Sequence, residues 1–314
     1  MTQLFLRRTG WLCVVLIAIS ALTFWLGTLV PGNPAEMILL ATQSEPPTEL
    51  QIRAKRSELG LDRPLPDQYQ RWLSRAVRGD LGVSWTRSVT VTSLIVERLP
   101  RTVLLAAAGL ALSLMIALPL GLASARRPGS RIDSACRAWS LVGGSLPAYL
   151  LAYLLILVLA VKLQLLPVLG FDSPLHLVLP ALTLAVGSAA SITRFTRNAV
   201  LDAMSQSHVR AAAARGVPEN AVLRVHALRN ASLPIVTMVG LSLAGLIGGA
   251  FVVEWIFNWP GMGTLAVEAI NTKDYPVIQA FVLFSALAYV IVNFAVDLLC
   301  AALDPRGDRA RASI

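Results

Sequence analysis

Hydrophobic residues in this chain are gathered into long blocks that polar stretches separate. A helix needs roughly 20 mostly apolar residues to cross a hydrocarbon core of about 30 Å, and the blocks approach or reach that length. The short alternating segments that are typical of a membrane β-barrel do not occur in the pattern. The chain is therefore predicted to be an all-α membrane protein with six transmembrane helices, at residues 11–30, 103–125, 139–161, 175–192 (the weakest), 233–253 and 277–302.

The overall composition also indicates a membrane protein. Hydrophobic residues make up 55% of the chain, charged residues only 14%, and the mean hydropathy is +0.65, whereas an average soluble domain carries about 25% charged residues. The first block follows Arg7 and Arg8, as the core of a secretory signal would. Its apolar run exceeds the usual length of about 7 to 15 residues, and no small-residue cleavage site closes it, so we expect a retained span.

The arginines are distributed unevenly between the two ends of the predicted spans. If the N-terminus lies inside, fifteen arginines flank the inner ends, against five acidic residues there, and the only basic residues of the short outer connections are Lys162 and Lys273. Basic residues concentrate on the inner side of membrane proteins, so both termini are predicted to lie inside. This placement accounts for the net charge of +9. Nucleic acid is not expected as a partner, because no basic groove studded with aromatic residues is present.

A long outer segment at residues 32–100 separates the first two predicted spans. It is nearly neutral, with nine basic and eight acidic residues. Thr48 followed by Gln51 is typical of a capping box at a helix start, and Gly60 suits the end of that helix. The segment is therefore predicted to be folded and helical.

A second short amphipathic helix is predicted just downstream. Tyr69, Trp72, Leu73 and Ala76 recur at positions i, i+3, i+4 and i+7, which is one helical face, and Gly79 ends the pattern. The two aromatic residues either anchor this helix at the membrane interface, where aromatic side chains are common, or belong to a surface for an external partner. The two roles are compatible.

Residues that catalysis would require are scarce. A nucleotide-binding P-loop places Lys before Ser or Thr, whereas Lys55, Lys162 and Lys273 are followed by Arg, Leu and Asp. The other candidates are His176, His208, His226, Cys13, Cys136 and Cys300. Their spacing matches no metal site or nucleophile motif. We expect no enzymatic activity, no metal and no cofactor in this chain.

A few polar residues in or near the last two spans could serve a transport path. Ionisable groups inside a membrane commonly mark such paths, and the candidates in the sixth span are Asn293 and Asp297, although an acid near a helix end can also simply reach the headgroups. After the fifth span, a Pro-Gly pair is predicted to form either a re-entrant turn or gate, or a tight turn with aromatic interface anchors. The residues of this turn are Glu254, Trp255, Phe257, Pro260 and Gly261.

The inner segment at residues 194–232 contains a basic, alanine-rich stretch unlike the apolar blocks around it. Residues 209–215 favour a helix, Gly216 suits a left-handed cap, and Pro218 can begin a new helical segment that runs into the fifth span. A helix whose exposed side is alanine lets another surface approach closely, and its flanking arginines can pair with acidic residues. We expect a helical hairpin that docks on a cytoplasmic partner.

This stretch, RAAAARGVPENAVLRVHALRN, resembles the EAA loop of ABC-importer permeases, with Arg210, Ala211, Ala212 and Gly216 at the positions of its E-A-A-x-x-x-G core. The form with HALRN is similar to that of the dipeptide, oligopeptide and nickel permeases. Arg210 replaces the usual Glu, and Asn33 in PGNPAEMIL replaces the usual Asp. Further motifs of the family occur in order along the chain, namely LGLDRPLPDQYQRW from Leu59, GDLGVSW from Gly79, EWIFNWPGMG from Glu254, DYPVIQ from Asp274 and DLLCAALDPR from Asp297.

The resemblance implies a single transmembrane permease domain over residues 1–314, in the bacterial inner membrane. A second, similar permease would complete a central path, two cytoplasmic ATPases, separate or fused, would bind ATP and magnesium, and an extracytoplasmic binding protein would deliver substrate to the outer residues named above. The hairpin would be the coupling helix, which transmits ATPase closure to the spans in an alternating-access cycle. The residues expected to take part in coupling are Arg210, Ala211, Ala212, Arg215, Gly216, His226, Arg229 and Asn230.

The cargo that the resemblance implies is a dipeptide or a longer peptide. Nickel chelates and haem are alternatives for the same machinery. Two other classes of protein stay open on the residues alone. A stand-alone secondary carrier would be driven by a proton or sodium gradient and would gain nothing from the hairpin, and an outer-face receptor or scaffold would not transport at all.

Overall fold

The computed structural model describes residues 2–29, 33–42, 46–218 and 221–303. Within these ranges helices are the regular elements, apart from an isolated antiparallel bridge between Val83 and Thr90. The α-helices are α1 (Thr2–Leu29), α2 (Pro34–Thr42), α3 (Glu49–Glu58), α4 (Leu65–Ala76), α5 (Val91–Arg126), α6 (Arg131–Ser145), α7 (Ala148–Leu155), α8 (Val178–Met204), α9 (Ser207–Ala214), α10 (Leu228–Ile256), α11 (Met262–Asn271) and α12 (Tyr275–Leu303). A π-helical segment at Ile156–Lys162 follows α7, and a second one at Val222–Ala227 precedes α10. A 3-10 turn at Pro174–Leu177 precedes α8.

Several of these helices are long and apolar enough to cross a membrane. By length and composition, four described helices qualify by themselves, at Val91–Arg126, Pro174–Met204, Leu228–Ile256 and Tyr275–Cys300. The pair Arg131–Ser145 and Ala148–Lys162 is a fifth candidate, bent by 102° at its break. Helix α1 has 28 residues, about 42 Å at 1.5 Å per residue. The predicted all-helical membrane class is confirmed, and the count of six spans stays a prediction.

The third predicted span, residues 139–161, is not the straight helix that its apolar composition suggested. Helix α6 ends at Ser145, Leu146 and Pro147 adopt extended backbone with ψ of 122° and 138°, and α7 begins at Ala148. A proline has no amide to donate and disfavours helical backbone in the residue before it. Pro147 therefore explains the break at this position.

By its internal contacts the chain divides into two compact units. The first comprises residues 1–101 and 260–287. In it, the predicted capping box is confirmed, since the Thr48 side chain accepts from the amide of Gln51 and the Gln51 side chain accepts from the amide of Thr48. Gly60 follows α3 with φ of 70°. Both predicted outer helices are therefore present, as α3 and α4, whereas α2, a short helix that packs on α3, was not predicted.

The second unit comprises residues 102–259 and 288–314, and α8 is its central helix. Gly109 and Gly121 of α5 face Leu184 and Thr196 of α8, so these two helices run parallel. Helix α6 runs antiparallel to α8 and approaches it closely at Gly143. A Cβ atom added at Gly121 would lie 2.7 Å from that of Thr196. The small residues thus allow the backbones to pack tightly, as is common between membrane helices.

Candidate functional site

The predicted docking helix is present as α9, directly after α8. It comprises Ser207–Ala214, and α8 ends at Met204. Val209 retains only 1% of its exposure and packs into the unit, whereas Ser207, Arg210 and Ala214 are exposed. One face of α9 is therefore anchored, and the opposite face, with its basic and alanine side chains, is open.

The C-terminal end of α9 has the predicted glycine cap. The amide of Arg215 donates to the carbonyl of Ala211 at 3.2 Å, and the amide of Val217 donates to that of Ala212 at 3.4 Å. Gly216 between them has φ of 84°. The bond from the Val217 amide to the Ala212 carbonyl encloses the left-handed Gly216, and this geometry is the Schellman motif. A Cβ atom at Gly216 would meet no atom within 4 Å, so the backbone angle, and not lack of space, requires glycine here.

The elements on both sides of α9 share one apolar cluster. Ala125 at the end of α5, Val200 and Ala203 of α8, and Ala227 and Ala231 around the start of α10 are buried together. A hydrogen bond of 2.9 Å between the side chains of His208 and Asn230 ties α9 directly to α10. His208 was not among the predicted coupling residues, because nothing in the sequence relates it to a residue 22 positions away.

The structure brings most of the predicted coupling residues onto or beside α9. Arg210, Arg215 and Gly216 are exposed, Ala211 and Ala212 are half-buried, and Arg229 and Asn230 are exposed in the first turn of α10. His226 lies in the π-helical segment before α10, and its side chain is outside the described residues. The geometry is that of an exposed basic face held between two long helices.

A second cluster, which sequence reasoning missed, lies near the same end of α8. The carboxylate of Asp133, fully buried in α6, accepts from Nε and Nη2 of Arg197 at 2.6 and 2.9 Å. It also accepts from the Ser124 hydroxyl at 2.5 Å and from the Gly129 amide at 2.9 Å. Four donors thus satisfy one buried carboxylate and join α5, α6 and α8. The sequence showed Asp133 only as one of a few inner acids among many arginines.

The turn after the fifth predicted span is tightly closed. Glu254 is fully buried and its Oε1 accepts from the Thr102 hydroxyl at 2.7 Å, while its carbonyl accepts from the amide of Trp259 at 2.8 Å. Phe257 and Trp259 each retain 1% of their exposure, whereas Trp255 remains 48% exposed. Both predicted alternatives, a re-entrant turn or gate and a tight turn with aromatic interface anchors, stay predictions.

Beyond this turn the chain enters α11, which was not predicted. Gly261 is the N-cap of this helix, with extended backbone, and Pro260 precedes it. The sequence suggested only a turn at these two residues. A gating role for the turn residues stays a prediction.

The two aromatic residues of α4 face the first helix. The hydroxyls of Tyr69 and Ser20 lie 2.8 Å apart, and Phe24 contacts the rings of both Tyr69 and Trp72, with centroids 5.5 and 6.3 Å away. Trp72 retains only 9% of its exposure. These contacts attach α4 to α1, and Trp72 has little surface left for an external partner in this conformation.

A hydrogen-bonded cluster in the first unit joins two motifs that are distant in the sequence. Asp274, of DYPVIQ, is buried and accepts from the hydroxyls of Ser84 and Thr86 and from the amides of Trp85 and Thr86. Ser84 and Trp85 belong to GDLGVSW. The two motifs, about 190 residues apart in sequence, therefore form one site.

The described contacts do not test the predicted transport role of the polar residues in the sixth span. The Asn293 amide donates to the carbonyl of Tyr289, within its own helix, at 2.9 Å. Asp297 lies in α12, but its side chain is outside the described residues, and Glu219, Arg306, Arg309 and Arg311 also lie outside them. A pathway role for Asn293 and Asp297 stays a prediction.

Three features together define a helical membrane permease. They are the long apolar helices, the folded segment between the first two of them, and the capped basic helix between α8 and α10. The chain belongs to the family described as binding-protein-dependent transport system inner membrane component, which matches residues 117–309. The corresponding N-terminal family matches residues 1–106. The predicted recognition and the inner-membrane location are confirmed.

Curated relatives match over almost the whole chain. A putative peptide permease protein of Brucella suis biovar 1 is 42% identical over 93% of this chain and 94% of its own length. An oligopeptide transport system permease protein of Bacillus subtilis is 40% identical over 98% and 99%. A glutathione transport system permease protein of Pectobacterium atrosepticum is 39% identical over 97% and 98%.

Solved structures support the fold of the larger part of the chain. The methionine ABC transporter MetNI, in inward-facing conformations, is similar over 67% of this chain and 96% of the matched chain, with a TM-score of 0.57 and 19% identity. An amino acid ABC transporter crystallised with histidines is similar over 67% and 94%, with a TM-score of 0.56 and 15% identity. At such identities the likeness concerns the fold alone.

Proposed function

We propose that this chain is a translocation-pathway subunit of an ATP-driven importer of peptides. The single observation that carries the proposal is the capped helix α9, anchored through Val209 and the His208–Asn230 hydrogen bond, with Arg210 and Arg215 exposed. Two exposed arginines beside half-buried alanines suit a helix that docks on an acidic groove of a partner. The family of the chain and the names of its relatives, peptide, oligopeptide and glutathione permeases, support this assignment.

The proposed assembly contains four kinds of component besides the bilayer. This chain contributes six spans with both termini inside, and a second, similar permease completes the path. Two cytoplasmic ATPases, or one fused ATPase, bind ATP and magnesium and receive α9, and an extracytoplasmic binding protein delivers the peptide. The dependence on a binding protein is part of the family's description. The exposed Trp255, in the last turn of α10, is our proposed contact for that protein.

Coupling in this proposal is mechanical. The ATPases close on ATP and displace α9, which is joined to α8 by two residues and to α10 by the His208–Asn230 bond and the shared apolar cluster. Because α5, α6 and α8 are locked together by Asp133 and Arg197, they would move as one body. A rigid lever of this kind converts a small shift at the cytoplasmic surface into a change of access.

The test is reconstitution of the complex purified through this chain. We expect uptake of a labelled tripeptide into proteoliposomes to require both ATP and the binding protein, and we expect the peptide-loaded binding protein to stimulate ATP hydrolysis. Arg210→Glu together with Arg215→Glu should reduce uptake at least ten-fold, since the exposed face of α9 would then repel an acidic groove. Arg63→Glu with Arg78→Glu, on the exposed outer segment, is the matched control.

Each alternative predicts a different result in the same assay. Uptake driven by a proton or sodium gradient without ATP would identify a secondary carrier. ATP-dependent uptake of nickel chelates or haem, with no uptake of peptide, would keep the machinery and change the cargo. Absence of any uptake with all components present would contradict the proposal.

A further inference from the structure

The break in the third apolar segment places irregular backbone inside a predicted span. Helix α6 ends at Ser145, α7 begins at Ala148, and the bend between them is 102°. A break leaves the last carbonyls of one helix and the first amides of the next without intrahelical partners. At membrane depth such groups are tolerated only where they are buried in protein or line a water-filled cavity. The backbone groups at this break must therefore be buried in protein or line such a cavity.

A cavity of about 440 Å³ lies directly beside the break, within the second unit. Leu146 and Ala148 line it together with residues of α8 and α10. Its size falls in the usual range for small-molecule sites, about 300–1,000 Å³. The irregular backbone and the cavity thus belong to one feature, which no predicted site residue touches.

The cavity lining is uncharged but not wholly apolar. Hydroxyls of Thr183, Ser188, Ser191 and Ser242 contribute to it. Those of Thr183 and Ser242 donate to carbonyls four residues earlier in their own helices. For Ser188 and Ser191 the described part of the chain offers no hydrogen-bond partner, so these hydroxyls can donate to and accept from a ligand.

We propose that this cavity is a passage site for the peptide backbone. The inference rests on the proposed function and adds a location and a mode of recognition to it. Hydroxyls and free backbone groups match the amide donors and acceptors of a peptide, whatever its side chains are. Because none of the lining residues is charged, the site does not select peptides by the charge of their side chains.

Substitution of two glycines in α10 by leucine gives one variant that fills the cavity and one matched control that does not. Gly245 lines the cavity and Gly248, one turn away on the same helix, does not. A Cβ atom at either position would meet no atom within 4 Å, and leucine favours helix over glycine at both. We expect Gly245→Leu to lower ATP-dependent peptide uptake at least ten-fold while basal ATP hydrolysis is kept, and Gly248→Leu to stay within two-fold of the wild-type complex.

Uptake of neutral, acidic and basic tripeptides of equal length distinguishes recognition of the peptide backbone from selection by side-chain charge. For each peptide, uptake by the variant is divided by uptake by the wild-type complex, so that any preference of the binding protein affects both values equally. The proposal predicts the same fold-loss for all three peptides in Gly245→Leu. Equal uptake by the Gly245→Leu and Gly248→Leu complexes would overturn it, as would a loss confined to one charge class. If the wild-type complex imports no peptide, the proposed function itself fails.

Cysteine labelling tests the cavity without any substrate. In a background free of Cys13, Cys136 and Cys300, Ser188→Cys and Ser191→Cys should react with a charged methanethiosulfonate reagent at least ten-fold faster than Met115→Cys, an exposed position on α5. Equal, slow reaction at all three positions would show a lipid-filled cavity and overturn the proposal. Loss of the second permease from the purified Gly245→Leu complex, but not from Gly248→Leu, would show a subunit interface instead and would also overturn it.

Discussion

Removing one partner of the Asp133–Arg197 pair should destabilise this protein more than any exposed charge change. Arg197→Met keeps most of the length of the side chain and deletes its two hydrogen bonds, of 2.6 and 2.9 Å, to the carboxylate of Asp133. That carboxylate is fully buried, and the Ser124 hydroxyl and Gly129 amide remain as its close donors. The variant therefore leaves a buried negative charge with only the exposed Arg137, 3.7 Å away, as a counter-charge.

The magnitude follows from the two lost bonds. A hydrogen bond to a charged group contributes about 1.5–3 kcal/mol, so the two together contribute about 3–6 kcal/mol. Breaking a buried ion pair from one side costs about 3–5 kcal/mol in proteins generally, which agrees. For a chain of 314 residues, an unfolding entropy of about 2.1 cal/mol/K per residue means that each kcal/mol lowers the melting temperature by about 1.5 °C. We therefore expect a decrease of at least about 4 °C for Arg197→Met.

The measurement is the apparent melting temperature of the purified chain in detergent, with two comparisons. Arg137→Met is the matched control, because Arg137 is 57% exposed and its Nε lies 3.7 Å from the same carboxylate, and it should cost less than about 1 kcal/mol. The double variant Asp133→Leu with Arg197→Met should recover most of the loss, since neither charge remains unpaired. Equal losses in Arg197→Met and Arg137→Met, or a double variant worse than Arg197→Met, would refute this account.

Three further predictions concern other contacts. Gly216→Val should uncouple uptake from ATP hydrolysis, since a left-handed angle costs a non-glycine residue about 1–2 kcal/mol or more. Gly79→Val, with the same φ of 84° in the loop after α4 and equally open space, should leave the ratio of uptake to hydrolysis unchanged. Survival of uptake with stimulated hydrolysis in Gly216→Val would contradict the coupling role. His208→Ala and Asn230→Ala should each lower uptake per ATP hydrolysed by a similar factor, and the double variant should lower it no further. Additive losses in the double variant would exclude a shared bond. Asp274→Ala should raise amide exchange at Trp85 and Thr86 by at least ten-fold, because it removes the acceptor of both amides and of two nearby hydroxyls. Unchanged exchange would show that the cluster does not hold this loop.

Local features of the chain were predictable because their causes are local. The capping box at Thr48, the glycine cap at Gly216 and the amphipathic helix around Trp72 each depend on residues within a few positions of one another, and all three are present in the structure. The apolar blocks were recognisable for the same reason, although the helices extend past them. Helix α5, for example, begins at Val91 and not at residue 103, because a helix continues through polar turns outside the hydrocarbon.

The contacts that join distant parts could not be predicted in this way. Pairing of Asp133 with Arg197, of His208 with Asn230 and of Asp274 with Ser84 depends on which helices are neighbours, and a single sequence carries no record of that. The side-chain direction of Trp72, toward α1, also followed from packing alone.

By itself the sequence determined the class of the protein, its long apolar helices and the presence of a capped basic helix, since hydropathy and helix caps act over one span or one turn. Only the tertiary structure decided that the break at Pro147 adjoins a cavity, and which buried charges meet. The physical reason is burial. Inside a folded protein an unpaired carboxylate or amide is costly, so polar groups far apart in the chain must find each other, and the fold is what brings them together.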